Sequence, residues 1–515
     1  MFAQSNLIKV VVFPAEKGWI SSRDVTILEP DTLTRAEDIV FETSGERKKR
    51  GGQARVNSTQ LTGATYVRYV RDFWLTSGTQ KRIACHNGTV LKEDLDGTWD
   101  AITGSVYPAA GEIVSTEVFN DLLIILSSGE ITAQKWDGAA ATTSNLGGTP
   151  PAGKIVKKHQ NRIWIAGDTS AKHRLYYSQA FDPEVWSGPG TGSLDIDPGD
   201  GDPDGITAIF PSFFGELFVA KRTKLYKISG SSPSGDFAFR IEQVSDSIGC
   251  IAHNSVVATQ DDVIFCSDRG VHSLKATANF GNVEATFISA PIHDFWHGLK
   301  RANLKKLHAV FYPRINSYLL GLTTTSSSEN NEIIGFNIVT GGWFRWTGYD
   351  CVSMATVLNP VSNDFELWTG GQNGYVNRYL PATLNDFGTA ISADFKTPVI
   401  YPDRDPDKVW GFKSLSVIFK PKGNYNFTVK YKIDNQTEQT ATINQVGTGA
   451  LLGDNFTLGT SVLGTTDVSQ PVELQLEGYG KGIVFNFVQN GINEDIEILG
   501  YVLKCKFAGQ SQEIF

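Results

Sequence analysis

Short apolar runs recur along the chain, each followed by a turn and a second apolar or aromatic run, with no long amphipathic helical period between them. The runs are Phe73-Trp74-Leu75, Leu122 to Leu126, Ile163-Trp164-Ile165, Leu217-Phe218-Val219, Val263-Ile264-Phe265, Tyr318-Leu319-Leu320 and Phe365-Glu366-Leu367. Their centres, from Trp74 to Glu366, lie about 49 residues apart on average, the period of a four-stranded propeller blade. Within the units the spacing is that of tight antiparallel hairpins. Gly215 to Ala220 leads into Thr223 to Ile228, Asp262 to Cys266 leads through Ser267-Asp268-Arg269-Gly270 into Val271 to Leu274, and Phe365 to Thr369 turns at Asn373-Gly374 toward Tyr375-Val376. The clearest interruption is Ile292 to Leu299, whose apolar residues stand at helical spacing and predict a short helix.

Beyond about Ala390 the texture changes to longer alternating segments: Ser414 to Phe419, Asn426 to Ile433, Val472 to Leu476, Gly482 to Val488 and Ile496 to Phe507. Alternation such as Phe427, Val429, Tyr431 and Ile433 means one buried and one solvated face, the pattern of a sandwich or jelly roll. The expected fold is therefore all-β. It comprises an N-terminal arm with a basic loop over 1–60, a β-propeller over 61–388 and a C-terminal β-sandwich or jelly-roll-like domain over 389–515. The repeat predicts about seven blades. The first and sixth units carry longer hairpins and an N-terminal strand is available to close the last blade, so six also fits.

Composition agrees with a β-rich chain. Its 515 residues include 30 Phe, 16 Tyr, 11 Trp and 51 Gly, with only 2 Met; aromatics suit pleated half-buried surfaces and glycine suits turns. A net charge of -9 argues against a surface that grips nucleic acid by neutralising phosphates, though not against a passage through which it slides. Five scattered cysteines, an odd number with no C-x-x-C pair, predict buried free thiols of a protein made in a reducing cytoplasm. The run Leu7 to Phe13 is too short to span a bilayer, is broken by Lys9 and is rich in β-branched residues, so it predicts a strand, and no membrane segment is expected.

Candidate chemistry is sparse. Arg47, Lys48, Lys49 and Arg50, followed by Gly51-Gly52, read as a basic loop with a flexible end, either solvated or touching DNA or a neighbouring subunit. Asp195, Asp197, Asp200, Asp202 and Asp204 crowd hard oxygen ligands into ten residues and form a weak Ca²⁺ candidate, without the spacing of an EF-hand; a turn-rich connection is the plainer reading. His293 and His297 would share one face of a helix, as a zinc pair does, but Asp294 stands where a metalloprotease helix has Glu, and no third ligand is near. Asp94 to Trp99 superficially resembles the aspartate-box turn of sialidases with the wrong spacing, and it does not recur. Gly249 to Ser255 brings Cys250, His253 and Ser255 together too locally for a triad and reads as a strand edge. No catalytic constellation, cofactor motif or metal site is expected.

Pro203 to Ile209, Gly215 to Ala220, Tyr226, Ser247 to Cys250 and Asp268 to Val271 together resemble the propeller of the tail-nozzle and packaged-DNA-stabilisation proteins of short-tailed bacteriophages. Glu46 to Gly52 is similar to the basic element that precedes their first blade, and Gly480 to Ile483 with Ile496 to Gly500 is similar to their terminal β domain. The resemblance implies a structural virion protein made in the host cytoplasm. It would form a homo-oligomeric ring, usually a hexamer, below the portal and adaptor, enclosing the DNA exit channel and anchoring fibre or plug proteins. DNA would pass the lumen without sequence recognition. The alternatives are a propeller glycan hydrolase, which needs two carboxylates near a central pore, and a host-receptor-binding tail protein.

Overall fold

The structure is a computed structural model that describes residues 7–14, 17–42, 45–61, 63, 66–86, 89–93, 98–104, 114–127, 132–275, 287–423, 425–445 and 470–510. The repeat forms a β-propeller. Among the described residues six blades are four-stranded: they begin at Tyr69–Trp74, Val114–Phe119, Ile155–His159, Ala208–Ile209, His308–Tyr312 and Ser353–Asn359. A three-stranded sheet, Val257–Ala258, Val263–Cys266 and Val271–Ser273, occupies the sector between the fourth and sixth positions.

In all repeats but the first, the apolar run is the second strand of its blade. That strand has pairing partners on both sides and neighbouring blades on both faces, so it reads as a continuous hydrophobic stretch rather than an alternation. Arg162–Ala166, Leu217–Ala220, Val263–Cys266 and Ser317–Leu322 are buried at every position. In the first blade Phe73 lies on the innermost strand and the second strand is Gln80–His86, so there the apolar anchor is one strand out of step.

The circle is closed by the N-terminal part of the chain. The last blade, Ser353–Asn359, Asp364–Gly370 and Val376–Leu380, receives Gly52–Arg55 as its fourth strand, with Asn377 opposite Arg55 and Leu380 opposite Gly52. Gly51 and Gly52 are not a flexible end. Both are buried, and a Cβ on Gly52 would lie 1.8 Å from the Asn385 carbonyl oxygen, so the close approach of two backbones demands glycine there.

The C-terminal strands form two facing sheets. One extends the sixth blade: its outer strand Trp343–Trp346 pairs with Arg35–Glu37, then Ala393–Lys396, Ile483–Gln489, Asn426–Ile433 and Gln439–Asn444, making nine strands in all. The other is built on Lys408–Phe419 and Glu497–Gln510, joined by Ile39–Phe41, Arg47–Lys49, Gln470–Gln475, Tyr479–Gly480 and Leu7–Val12. Phe412, Leu415, Val417, Phe427, Val429, Phe485, Phe487, Tyr501 and Leu503 fill the space between them, and this core runs without a break into that of the sixth blade through Phe344 and Trp346. The described residues of 1–60, read from sequence as an arm, are woven into the propeller and both C-terminal sheets.

The basic run is corrected in the same way. Arg47–Lys49 is a strand between Ile39–Phe41 and Glu497–Gln510, and Arg47, Lys49 and Arg50 are buried. Arg47 donates to the carbonyls of Lys17 and Asp31, while Lys49 donates to those of Gly491 and Glu494. Burial pulls the Lys49 ammonium down to about 8. Arg50 joins Asp38 and Asp386. These three cations hold sheets together inside the chain and are not surfaces for DNA; Lys48 is more accessible and lies 3.7 Å from Glu42.

Candidate functional site

The innermost strands surround a narrow bore, and alternation along each strand decides which side chains enter it. Arg71 and Tyr69 from the first blade meet the second: Arg71 donates to the Thr116 carbonyl at 2.6 Å and its guanidinium lies 3.7 Å from Glu117, while the Tyr69 hydroxyl is 2.8 Å from Thr116 Oγ1. From the third blade Lys157 approaches the same Glu117 at 3.8 Å. Burial lowers the Lys157 pKa more than Glu117 restores it. Tyr69 also stands edge-on to His308 of the sixth blade, with ring centroids 6.2 Å apart.

The turn His253–Ser255 crosses this space at one end. It is a single 3-10 turn leading into the innermost strand of the three-stranded sheet, and it carries the His253 ring to the second blade, where Nε2 lies 3.3 Å from Ser115 Oγ. Asn254 adds a hydrogen bond to the Val114 carbonyl. The turn thus bridges the ring from the fifth sector to the second. Burial keeps His253 and His308 neutral, His308 being pulled down to about 4.

Above the turn, at the mouth of the bore, is a cavity of about 600 Å³. Its walls come from the segments that enter the innermost strands of the third to sixth sectors, including Ile155, Ile206, Ile251 and Leu304, with Lys154, Arg222, Arg301 and Lys305 around them. Arg222 holds both acidic residues of the lining, Asp268 at 2.7 Å and Asp204 at 3.4 Å. Both carboxylates of the lining are thus engaged by one guanidinium. Glu117 is likewise shared between Arg71 and Lys157.

The residues singled out from sequence are dispersed, and most have structural partners. In the Asp-rich connection, Lys221 and Lys224 contact Asp200 at 2.8 and 3.2 Å, Arg174 holds Asp195, Tyr226 donates to Asp197, Thr223 donates to Asp202, and Arg222 takes Asp204. Burial alone would raise the Asp200 carboxyl, but the hydrogen bonds of Lys221 and Lys224 bring it well below the ordinary range. At Asp200 ammonium groups stand where a cation would, which speaks against the calcium reading; among the described residues no cluster of His, Cys, Asp or Glu is arranged for a metal. Thermal unfolding in millimolar Ca²⁺ and in chelator is expected to give superimposable curves, and a rise of several degrees with Ca²⁺ would reinstate the site.

The predicted short helix is present as His293–His297, with the two Nε2 atoms 2.8 Å apart and Arg301 2.9 Å from His297 Nδ1, so a cation already faces the pair. Ser255 is buried in the turn beside His253 and Cys250 is buried just before it, and burial pushes the Cys250 thiol up to about 11, away from nucleophilic use. All five cysteines are buried and free. Asp94 to Gly97 lie outside the described residues. Sequence reasoning missed the residues of the bore and its mouth. The one available signal was His253 in an otherwise apolar run before a strand.

No protein-family model and no curated protein matches the chain. Among solved structures it is similar to virginiamycin B lyase from Staphylococcus aureus, at 10% identity and TM-score 0.40 over 65% of this chain and 99% of that one. It is similar to YCF48 from Cyanidioschyzon merolae, at 10% identity and TM-score 0.37 over 64% of this chain and 99% of that one. An exo-beta-1,3-galactanase from Phanerochaete chrysosporium matches at 9% identity and TM-score 0.27 over 88% and 100%. The chain itself is a β-propeller with a fused β-sandwich.

Proposed function

We propose that this chain is a structural ring component of a short-tailed bacteriophage tail, in which several copies enclose the DNA exit channel and present surfaces to adjoining tail proteins. The observation that carries the reading is the nine-stranded sheet running from the sixth blade into the C-terminal sandwich. Linked domains normally move against one another unless a large apolar interface prevents it. Here a shared sheet and a shared core make a single rigid wedge, which suits a subunit that keeps two attachment surfaces at a fixed angle. The sequence resemblance to tail-nozzle propellers points the same way. Because Arg71, Glu117, Lys157 and the histidines occupy the bore of each propeller, the DNA path in this reading is the opening between subunits. A net charge of -9 favours a lumen wall that repels phosphate and lets DNA slide.

Electron microscopy of the purified chain, alone and with its adaptor, is the test. Closed rings of uniform subunit number are expected, and persistent monomers with the adaptor present would overturn the proposal.

A further inference from the structure

The cavity at the mouth of the bore has features that an assembly role does not use. Its volume of about 600 Å³ lies in the range of small-molecule sites. One wall is apolar, built from Ile155, Ile206, Ile251 and Leu304. The charged lining is unbalanced: Lys154, Arg222, Arg301 and Lys305 face only Asp204 and Asp268, and both of those are taken by Arg222. Among the described residues Lys154 and Lys305 have no carboxylate partner, and Arg301 donates to the Asp268 carbonyl and to His297 rather than to a carboxylate. A local excess of positive charge in an acidic protein is a site prepared for an anion.

His253 supplies a second observation. It lines the cavity, is only 7% exposed, and has a ring nitrogen, Nδ1, without a hydrogen-bond partner. Ser115 Oγ accepts from the Val156 backbone N–H at 3.2 Å and stands 3.5 Å from the Val156 carbonyl and 3.3 Å from His253 Nε2, so Nε2 is engaged and Nδ1 is the ring nitrogen left over. That leaves His253 Nδ1 as a buried polar atom open to a ligand. Buried polar atoms are rarely left unpaired without a ligand or water to meet them.

We infer that the cavity is a binding site for a small organic acid of hexuronate size, its carboxylate held by Lys154, Lys305 and His253 and its ring face laid against Ile206 and Leu304. The apolar wall selects an organic frame over a bare inorganic anion, and the cation excess selects an acid over the neutral sugar. This site belongs to the single chain and does not depend on ring formation.

Isothermal titration of the full chain with glucuronate, glucose and inorganic phosphate tests it. Glucuronate is expected to bind at least tenfold more tightly than either of the others. The double variant Lys154→Gln with Lys305→Gln should weaken glucuronate binding at least tenfold while leaving the melting temperature unchanged, since both side chains are exposed and unpaired. Arg301→Gln provides a second variant, with a weakening of severalfold expected. Equal binding of phosphate, equal binding of glucose, no heat with glucuronate, or full glucuronate affinity in the double variant would each overturn the inference.

Discussion

Replacing Arg50 with alanine is expected to lower the free energy of unfolding by roughly 3–5 kcal/mol, the cost of leaving buried charges without their partner. Arg50 Nε meets Asp38 at 2.6 Å, and its two terminal nitrogens clasp Asp386 at 3.0 and 2.6 Å. The guanidinium also lies 5.1 Å from the Tyr349 ring centroid. Asp38 is 4% exposed and additionally accepts from Thr347, so the loss of Arg50 strands a carboxylate that water cannot easily reach. Three parts of the chain meet at this ion group: the N-terminal segment, the end of the sixth blade and the strand beside the closing strand of the last. Arg50→Lys should recover only part of the loss, because an ammonium cannot make the paired contact with Asp386. Lys48→Ala, two residues away, is expected to stay within about 0.5 kcal/mol of the parent. Denaturant midpoints compare all three, and an equal effect of Arg50→Ala and Lys48→Ala would refute the assignment.

Acid should unfold the protein from the propeller outward. Burial holds His159, His272 and His308 at about 4 and His253 well below its usual value. The folded chain therefore refuses protons that the unfolded chain accepts near pH 6.5, so stability from these groups is complete above that pH and is lost as pH falls toward 4. Each histidine held at about 4 accounts for roughly 3 kcal/mol across that window. Asp200 acts separately and lower: its depressed carboxyl contributes stability above its ordinary value of 3.8, which is lost only as pH falls below that. Melting temperatures measured from pH 7 to 4.5 should decline steeply. His308→Asn, which keeps an acceptor for the Met354 N–H now 3.3 Å from His308 Nδ1, should decline less. A flat profile in the parent would contradict the burial of these rings.

Much of this architecture was legible in the sequence, for a physical reason. Second strands of blades are enclosed on both faces, so they appear as uninterrupted apolar runs, and the sandwich strand Asn426–Ile433 shows its buried Phe427, Val429, Tyr431 and Ile433 as plain alternation. Charges were harder to place. A run of four cations is ordinarily solvated, and nothing local to Arg50 announces that Asp386, 336 residues later, will lie against it. The five aspartates suggested a cation but could not reveal that Lys221 and Lys224 supply it. The bore was invisible for a related reason: strand alternation says that Ser115, Glu117 and Lys157 share a kind of face, yet only closure of the ring decides that those faces converge and that His253 crosses to meet them.

The pairing of segments far apart in the sequence has a bearing on biosynthesis. Leu7–Val12 lies antiparallel to the last long strand, with Leu7 opposite Lys506 and Val12 opposite Tyr501, and Gly52–Arg55 completes the final blade. Contacts of such sequence separation form late, after the entropy of closing a very long loop has been met. A nascent chain released early therefore keeps an open propeller and unpaired strand edges, which chaperones and proteases recognise. Completion of the fold thus waits on Glu497–Gln510, because until that strand is made Leu7–Val12 has no partner.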